Sequence, residues 1–203
     1  MSTAATETLR LPAIGFKSPL LRAASDDKLI ALTRRGRDDA FETLVERYRA
    51  RLLGFCQHML RSREDAEDVL QEVYVAALRA MRADDRPIQA KPWLYKIARN
   101  RSLNHLRRPT DLAVESMDTF SDRAGVASSA LEAVAGRERL REIVADVHEL
   151  PESQRTALIL REFDALSYSE IADTMDTTVP AVKSLLVRAR MGLASAAEER
   201  AAA

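Results

Sequence analysis

Across 203 residues, 31 Lys and Arg offset 31 Asp and Glu; the chain lacks the cationic excess of an autonomous DNA-binding domain. Hydrophobic residues at 46% leave enough apolar side chain for a core, excluding global disorder, and there is room for one or two domains. Aromatics and glycines are few, and Ala, Leu, Arg and Glu dominate without β-branched alternation, so the composition points to an all-α fold.

Residues 1–24 carry neither a basic start nor a continuous apolar stretch, so they read as a flexible arm rather than a secretory signal. No segment of the chain is apolar for long enough to insert in a bilayer. Ser25 or Asp26 can cap a short helix carrying Leu29, Ile30 and Leu32, ending near Gly36. A longer helix follows, with Phe41, Leu44, Val45, Tyr48, Leu52, Phe55, Cys56 and Met59 at helical spacing. Cys56 is the only cysteine, which rules out an intrachain disulfide and suits a reducing cytosol. It lies on the apolar face and reads as core. His58, His105 and His148 are scattered without metal-ligand spacing, so no metal is expected.

Ser62 can cap a third helix, whose inner face would be Ala66, Val69, Leu70, Val73, Ala77, Leu78 and Met81. Its outer face carries Asp65, Asp68, Gln71 and Glu72. Acids in a first turn suit the helix dipole, but Asp68 and Glu72 lie deeper, and the ridge suits docking to a basic partner. The loop 83–90 leads to a helix with Pro92 in its first turn. Trp93, Leu94, Ile97 and Ala98 would be buried, while Lys96, Arg99, Asn100, Asn104, Arg107 and Arg108 line the rest. Cations, amides and an aromatic on one helix are ingredients for phosphate neutralisation and base stacking. For Trp93 a core anchor is the plainer reading.

Charge is segregated along the chain. Residues 96–108 contain no acid, whereas 111–122 contain Asp111, Glu115, Asp118 and Asp122 and no base. Residues 109–130 lose periodicity and read as an acidic flexible linker. Helical spacing returns with Leu140, Ile143, Val144 and Val147, and again through Ala157, Leu158, Leu160 and Phe163. Ser167 and Glu170 form an S-x-x-E capping box opening a short helix, and Asp176-Thr177-Thr178 then breaks the pattern. Thr178 can cap a further helix with Pro180 in its first turn. On that helix Val182, Leu186, Ala189 and Leu193 share one side; Lys183, Ser184, Val187, Arg188 and Arg190 share the other. A helix, a tight turn and a helix with a cationic outer face suit the DNA major groove, although a solvated basic face on an ordinary helix pair has the same pattern. Residues 196–203 read as a fraying, Ala-rich tail.

Two stretches resemble the small extracytoplasmic-function type of bacterial RNA polymerase sigma factor. DAEDVLQEVYVAALRA (65–80) with WLYKIARNRSLNHLRR (93–108) is similar to the family's region 2. LPESQRTALILREFDALSYSEIADTMDTTVPAVKSLLVRAR (150–190) is similar to its region 4. The resemblance implies an all-α fold of two small helical domains, residues 25–108 and 131–195, joined by the linker. It implies that Asp65, Asp68, Gln71 and Glu72 grip core polymerase. It assigns Lys91, Trp93, Lys96, Arg99, Asn100, Asn104, Arg107 and Arg108 to recognition and melting of the −10 element. Arg155, Thr178, Ala181, Lys183, Ser184, Val187, Arg188 and Arg190 would read the −35 element. It further implies an inhibitory anti-sigma partner, a cytoplasmic location, and no catalytic residues, cofactor or small-molecule substrate. Leu185 and Val187 stand where the family often has Arg and His, so the promoter sequence read here should differ. The chief rival is a self-standing helix-turn-helix regulator; a non-DNA reading is a helical adaptor whose basic faces bind an acidic protein.

Overall fold

The computed structural model describes residues 19–108 and 130–202, and side chains within 130–140 only at 138 and 139. Expectations for most of the N-terminal arm and for the acidic linker, including Asp111, Glu115, Asp118 and Asp122, lie outside the described residues. Among those described there are nine helices and no strand: α1 Pro19–Arg22, α2 Asp26–Arg34, α3 Asp38–Leu60, α4 Arg63–Ala83, α5 Ala90–Leu106, α6 Ala130–Glu149, α7 Glu152–Glu162, α8 Tyr168–Met175 and α9 Val179–Ala202.

Local chemistry sets most of the boundaries. Ser25 accepts from the Lys28 amide at the start of α2, and Ser62 from that of Asp65 at the start of α4. Each satisfies an amide that the first turn leaves without a carbonyl. The Ser167–Glu170 capping box of α8 is complete in both directions. Asp176 ends α8 in the left-handed conformation at φ 51°, which a short polar side chain tolerates better than most. Thr178 Oγ1 accepts from the Ala181 amide at 3.4 Å, and Pro180 falls in the first turn of α9.

The first module, α1–α5, is built on α3, where Leu44, Leu52, Phe55 and Cys56 are fully buried. The seven residues expected on the inner face of α4 are all buried there. Burial pushes the Cys56 thiol up to about 12, as expected of a core residue. In the second module, α6–α9, the buried residues Ala157, Ile159 and Leu160 of α7 and Ile171 of α8 accompany Val182, Leu186 and Ala189 of α9. A Cβ on Gly192 would stand 3.0 Å from Leu150 Cδ2, so glycine lets α9 approach the α6–α7 junction.

Four points differ from the sequence reading. The flexible arm was drawn to residue 24, but Pro19–Arg22 is helical with Leu21 buried, and Arg47 donates to the carbonyls of Arg22 and Ala24. The tail drawn as fraying from residue 196 is helical to Ala202, and Arg200 pairs with Asp146 and Glu142 of α6. Ile143, on the apolar face of α6, is 45% exposed because α6 has few neighbours to cover it. Phe163 is 53% exposed, and its ring lies 4.2 Å from that of His58 on α3.

The modules are not held apart. Helix α5 packs on α3 and α4 with one side and on α8 with another, and α7 reaches α3. Tyr95, absent from the expected buried face of α5, is fully buried, with its ring edge-on to Phe55 at a centroid distance of 5.5 Å. Phe55→Ala should remove both that contact and a core side chain, costing about 3–5 kcal/mol. Chemical denaturation followed by circular dichroism measures the loss. A cost below about 1 kcal/mol would mean that Phe55 does not hold the core.

Candidate nucleic-acid interface

Three faces carry most of the charged residues singled out in the sequence. On α4, Asp68 and Gln71 are exposed, whereas Asp65 and Glu72 are half-buried. The last turns of α5 reach over to them: His105 Nε2 lies 3.3 Å from Asp65, and Arg101 and Arg108 lie 3.7 and 3.5 Å from Glu72. Asp68, Gln71, Glu72, Val75, Ala76 and Arg101 help line an open groove along this face. It combines acids with an apolar floor, which suits a helix bearing both cations and aliphatic groups.

Helix α5 presents the second face. Asn100, Asn104, Arg107 and Arg108 are exposed, and Trp93 is half-buried against the core. The other assigned cations are engaged by the second module. Lys91 Nζ lies 3.2 Å from Glu170, Lys96 Nζ 2.5 Å from Asp176, and Arg99 2.8 Å from Glu152. Arg107 stands 3.8 Å from the other Glu152 oxygen. Burial works against the Glu170 carboxylate, but hydrogen bonds from Ser167 and Lys91 outweigh it and hold its pKa below the usual value.

Beneath these pairs lies a buried polar contact. Tyr95 Oη donates to Asp164 Oδ1 at 2.6 Å, and Thr174 Oγ1 donates to the Glu170 carbonyl at 2.7 Å and meets the Pro92 carbonyl at 3.3 Å. Ala165, next to Asp164, takes a positive φ of 51°, an uncommon conformation for a residue with a side chain, at the turn between α7 and α8. Burial raises the Asp164 carboxyl to about 6, against the lowering effect of the Tyr95 hydroxyl and of Arg51 and Lys91. The sequence reading did not single out Glu152, Asp164, Glu170 and Asp176 as partners of α5. Glu170 and Asp176 were read only as a cap and a turn.

The third face is the outer side of α9. Lys183, Val187, Arg188 and Arg190 are exposed there, with Ser184 and Ala181 half-buried beside them and Thr178 exposed at the start. Arg188 donates to Ser184 Oγ at 2.9 Å and Arg190 to Glu162 at 2.8 Å, while Lys183 sits 5.9 Å from the centre of the Tyr168 ring. Val187, at 55% exposure, is an apolar residue within this polar arc.

Arg155 does not join that face. It donates to the His148 carbonyl at 2.8 Å and is half-buried beside Arg61. Here burial, with Arg61 and Arg155 nearby, lowers His148 to about 4.

Comparison with known proteins is consistent across sequence and structure. Residues 44–110 match the model described as Sigma-70 region 2, and residues 140–193 that of Sigma-70, region 4. The chain is 36% identical over 179 residues to the RNA polymerase sigma-H factor of Pseudomonas aeruginosa, covering 84% of this chain and 93% of that protein. It is 35% identical over 174 residues to the ECF RNA polymerase sigma-E factor of Escherichia coli K12, covering 82% and 91%. In fold it resembles CnrH, solved in complex with the cytosolic domain of CnrY: TM-score 0.64, 24% identity, 86% of this chain and 97% of that one. It also resembles the sigma factor RpoE of Bartonella quintana, solved with the anti-sigma factor NepR: TM-score 0.62, 21% identity, 78% and 96%.

The raised carboxyl at the module interface has a consequence for stability. Asp164 has a higher pKa folded, about 6, than the ordinary 3.8. Its protonated form therefore contributes stability that is full below about 3.8 and is lost as pH rises through about 6. His148 acts in the opposite sense: lowered from 6.5 to about 4, it contributes stability above 6.5 that is lost as pH falls toward 4. The two oppose each other in mildly acidic solution, so the wild-type profile should be shallow. Asp164→Asn removes this opposing slope and leaves that of His148, reinforced by the lowered Glu170. Denaturation midpoints at several pH values should show the variant gaining about 2 kcal/mol relative to wild type between pH 4 and 7. A difference independent of pH would mean that Asp164 titrates normally.

Proposed function

The chain belongs to the extracytoplasmic-function sigma factors of bacterial RNA polymerase, and from that premise we propose how its faces divide the work of initiation. The acidic ridge Asp65, Asp68, Gln71 and Glu72 binds core polymerase. The α5 face, with Lys91, Trp93, Lys96, Arg99, Asn100, Asn104, Arg107 and Arg108, contacts the −10 element and the strand released when it opens. The outer face of α9 enters the major groove of the −35 element, with Lys183, Ser184, Arg188 and Arg190 on phosphates and base edges and Thr178 and Ala181 near its start. Arg155 contributes to DNA binding only by leaving the His148 carbonyl.

The single observation that carries this reading is the pairing, on one chain and in family order, of an outward acidic ridge with a cationic helix-turn-helix face. A protein that borrows its affinity from a large enzyme needs no net positive charge, which accounts for the balanced total. The family comprises transcription initiation factors. Among the described residues no helix is long and apolar enough to cross a membrane; action beside the polymerase in the cytoplasm fits this reading. The partners follow from it: core polymerase, promoter DNA and an anti-sigma factor, the last supported by the fold neighbour solved with NepR.

The direct test is run-off transcription with core polymerase on genomic promoter fragments, compared with binding to core alone. Charge reversal of Asp68 and Glu72 to Lys should weaken core binding about tenfold at low salt and leave helicity unchanged. Unchanged binding would remove the ridge from the polymerase interface. Tight duplex binding with no polymerase-dependent transcript would favour a self-standing regulator.

Val187 offers a finer test. In the major groove only thymine presents a methyl group that an exposed valine can cover. Val187→Ala should cost about 1 kcal/mol of promoter affinity. Uracil in place of the contacted thymine should reproduce the loss, and the two losses should not add. Full additivity at every thymine of the upstream element would place Val187 off the DNA.

A further inference from the structure

Between α4 and α5 the chain passes through residues 84–89 without regular structure. From Asp84 to Ile88 it makes no backbone-to-backbone hydrogen bond among the described residues; the first belongs to Gln89, which accepts from the Trp93 amide. A segment of this kind takes its shape from side chains, since its own backbone groups do not pair. Two side chains supply it. Asp84 accepts from the Arg86 amide at 2.9 Å and pairs with the Arg86 guanidinium. Arg34, in the last turn of α2, reaches the loop from the far side of the sequence. Its terminal nitrogens donate to the carbonyls of Asp85 at 3.2 Å and of Arg86 at 2.5 Å, and its Nε stands 3.8 Å from the Asp85 carboxylate.

A cation closing a helix has a local use in answering the dipole. That use does not require a side chain folded onto two consecutive carbonyls, and the Arg34 side chain is only 18% exposed. The planar guanidinium fork spans both acceptors at once, which a single ammonium does not do. The loop so held turns its own charges outward: the side chain of Asp85 is 97% exposed and that of Arg86 87%. Ile88 packs back against the core, and the chain then enters the first turn of α5, with Lys91 and Trp93. A carboxylate and a guanidinium are groups that accept from and donate to base edges.

We propose that Arg34 is a positioning residue for promoter recognition: it fixes the backbone at Asp85 and Arg86, so that their side chains meet the −10 element at a set place beside the first turn of α5. The proposal rests on the assignment of α5 to that element. Arg34 lies outside residues 44–110, which match the region 2 model, and it acts through the loop rather than on DNA.

Arg34→Met keeps the aliphatic stem and removes the donors; Arg34→Lys also keeps the charge. In both, amide hydrogen exchange at residues 85–88 of the free chain should quicken on the order of fivefold, with helicity unchanged. With core polymerase, run-off transcription from templates carrying each base in turn along the −10 element should show the preference between best and worst base falling by a similar factor. Binding to core should stay as in wild type. Arg37→Gln, which removes a neighbouring cation paired only with Asp39 in the ion pairs seen, should leave exchange and preference unchanged. In an Asp85→Ala/Arg86→Ala background, Arg34→Met should cause no further loss of preference, because it acts through those two side chains.

A uniform loss of affinity for every template, with a shallower salt dependence, would make Arg34 a phosphate contact and overturn the proposal. So would full base preference in both Arg34 variants, or losses that add to those of the loop variant. Hydrogen exchange reads the loop without polymerase, and run-off transcription by the wild-type chain tests the family reading, so the two failures are distinguishable.

Discussion

The hydroxyl of Tyr95 and the carboxyl of Asp164 form the contact on which the arrangement of the two modules depends. A buried phenol needs an acceptor, since an unpaired one costs on the order of 1–3 kcal/mol. Tyr95 finds its acceptor 69 residues away, in the turn between α7 and α8. The ring meanwhile packs edge-on against Phe55 inside the first module. One side chain is thus core to one module and hydrogen-bonded to the other. Asp164 bears the cost, and burial raises its pKa to about 6. Its second oxygen is buried without a hydrogen-bond partner, which suits a contact that is satisfied in part and open to release.

Around that joint the charge pattern follows from what each helix must face. Helix α5 has too few acids to pair its cations within its own helix, so Glu152, Glu170 and Asp176 neutralise them from across the interface. The ridge of α4 is treated in the reverse sense, with Arg101, His105 and Arg108 leaning over Asp65 and Glu72. Only α9 shows its cations largely outward, with Lys183 and Arg188 exposed and tied to no acid in the ion pairs seen. A neutral total conceals three unlike faces, and two of them are satisfied internally.

Local features were legible from the sequence because their causes are local. The Ser62 cap, the Ser167–Glu170 box, the break at Asp176 and the inner face of α4 each depend on residues within a few positions of one another. The misreadings share a different origin. Helix α5 was expected to bury one face and show the rest to solvent, yet a second module covers another side, and no periodicity within α5 announces a neighbour 53 to 80 residues away. The run Trp93-Leu94-Tyr95 held a signal, since adjacent apolar residues cannot share one face of a helix. The Ala-rich end was read as fraying although alanine is the best helix former, and Arg200 anchors it to α6. The polar outer face of α9 was legible because Lys183, Val187, Arg188 and Arg190 fall on one side of a single helix, opposite the buried Val182, Leu186 and Ala189.

The two cationic faces therefore stand in different relations to DNA on the proposed reading. Helix α9 can meet a duplex without any rearrangement beyond its own side chains, whereas α5 must first give up carboxylates of its own chain. Salt acts on these steps with opposite sign. It weakens the contacts of Lys183, Arg188 and Arg190 with phosphate, and it also loosens the pairs that keep Lys91, Lys96 and Arg99 occupied. Exchange of one set of anions for another also explains why the chain carries no surplus of positive charge: every cation assigned to the melted strand already has a partner before DNA arrives, or lies at the exposed end of α5 beside one.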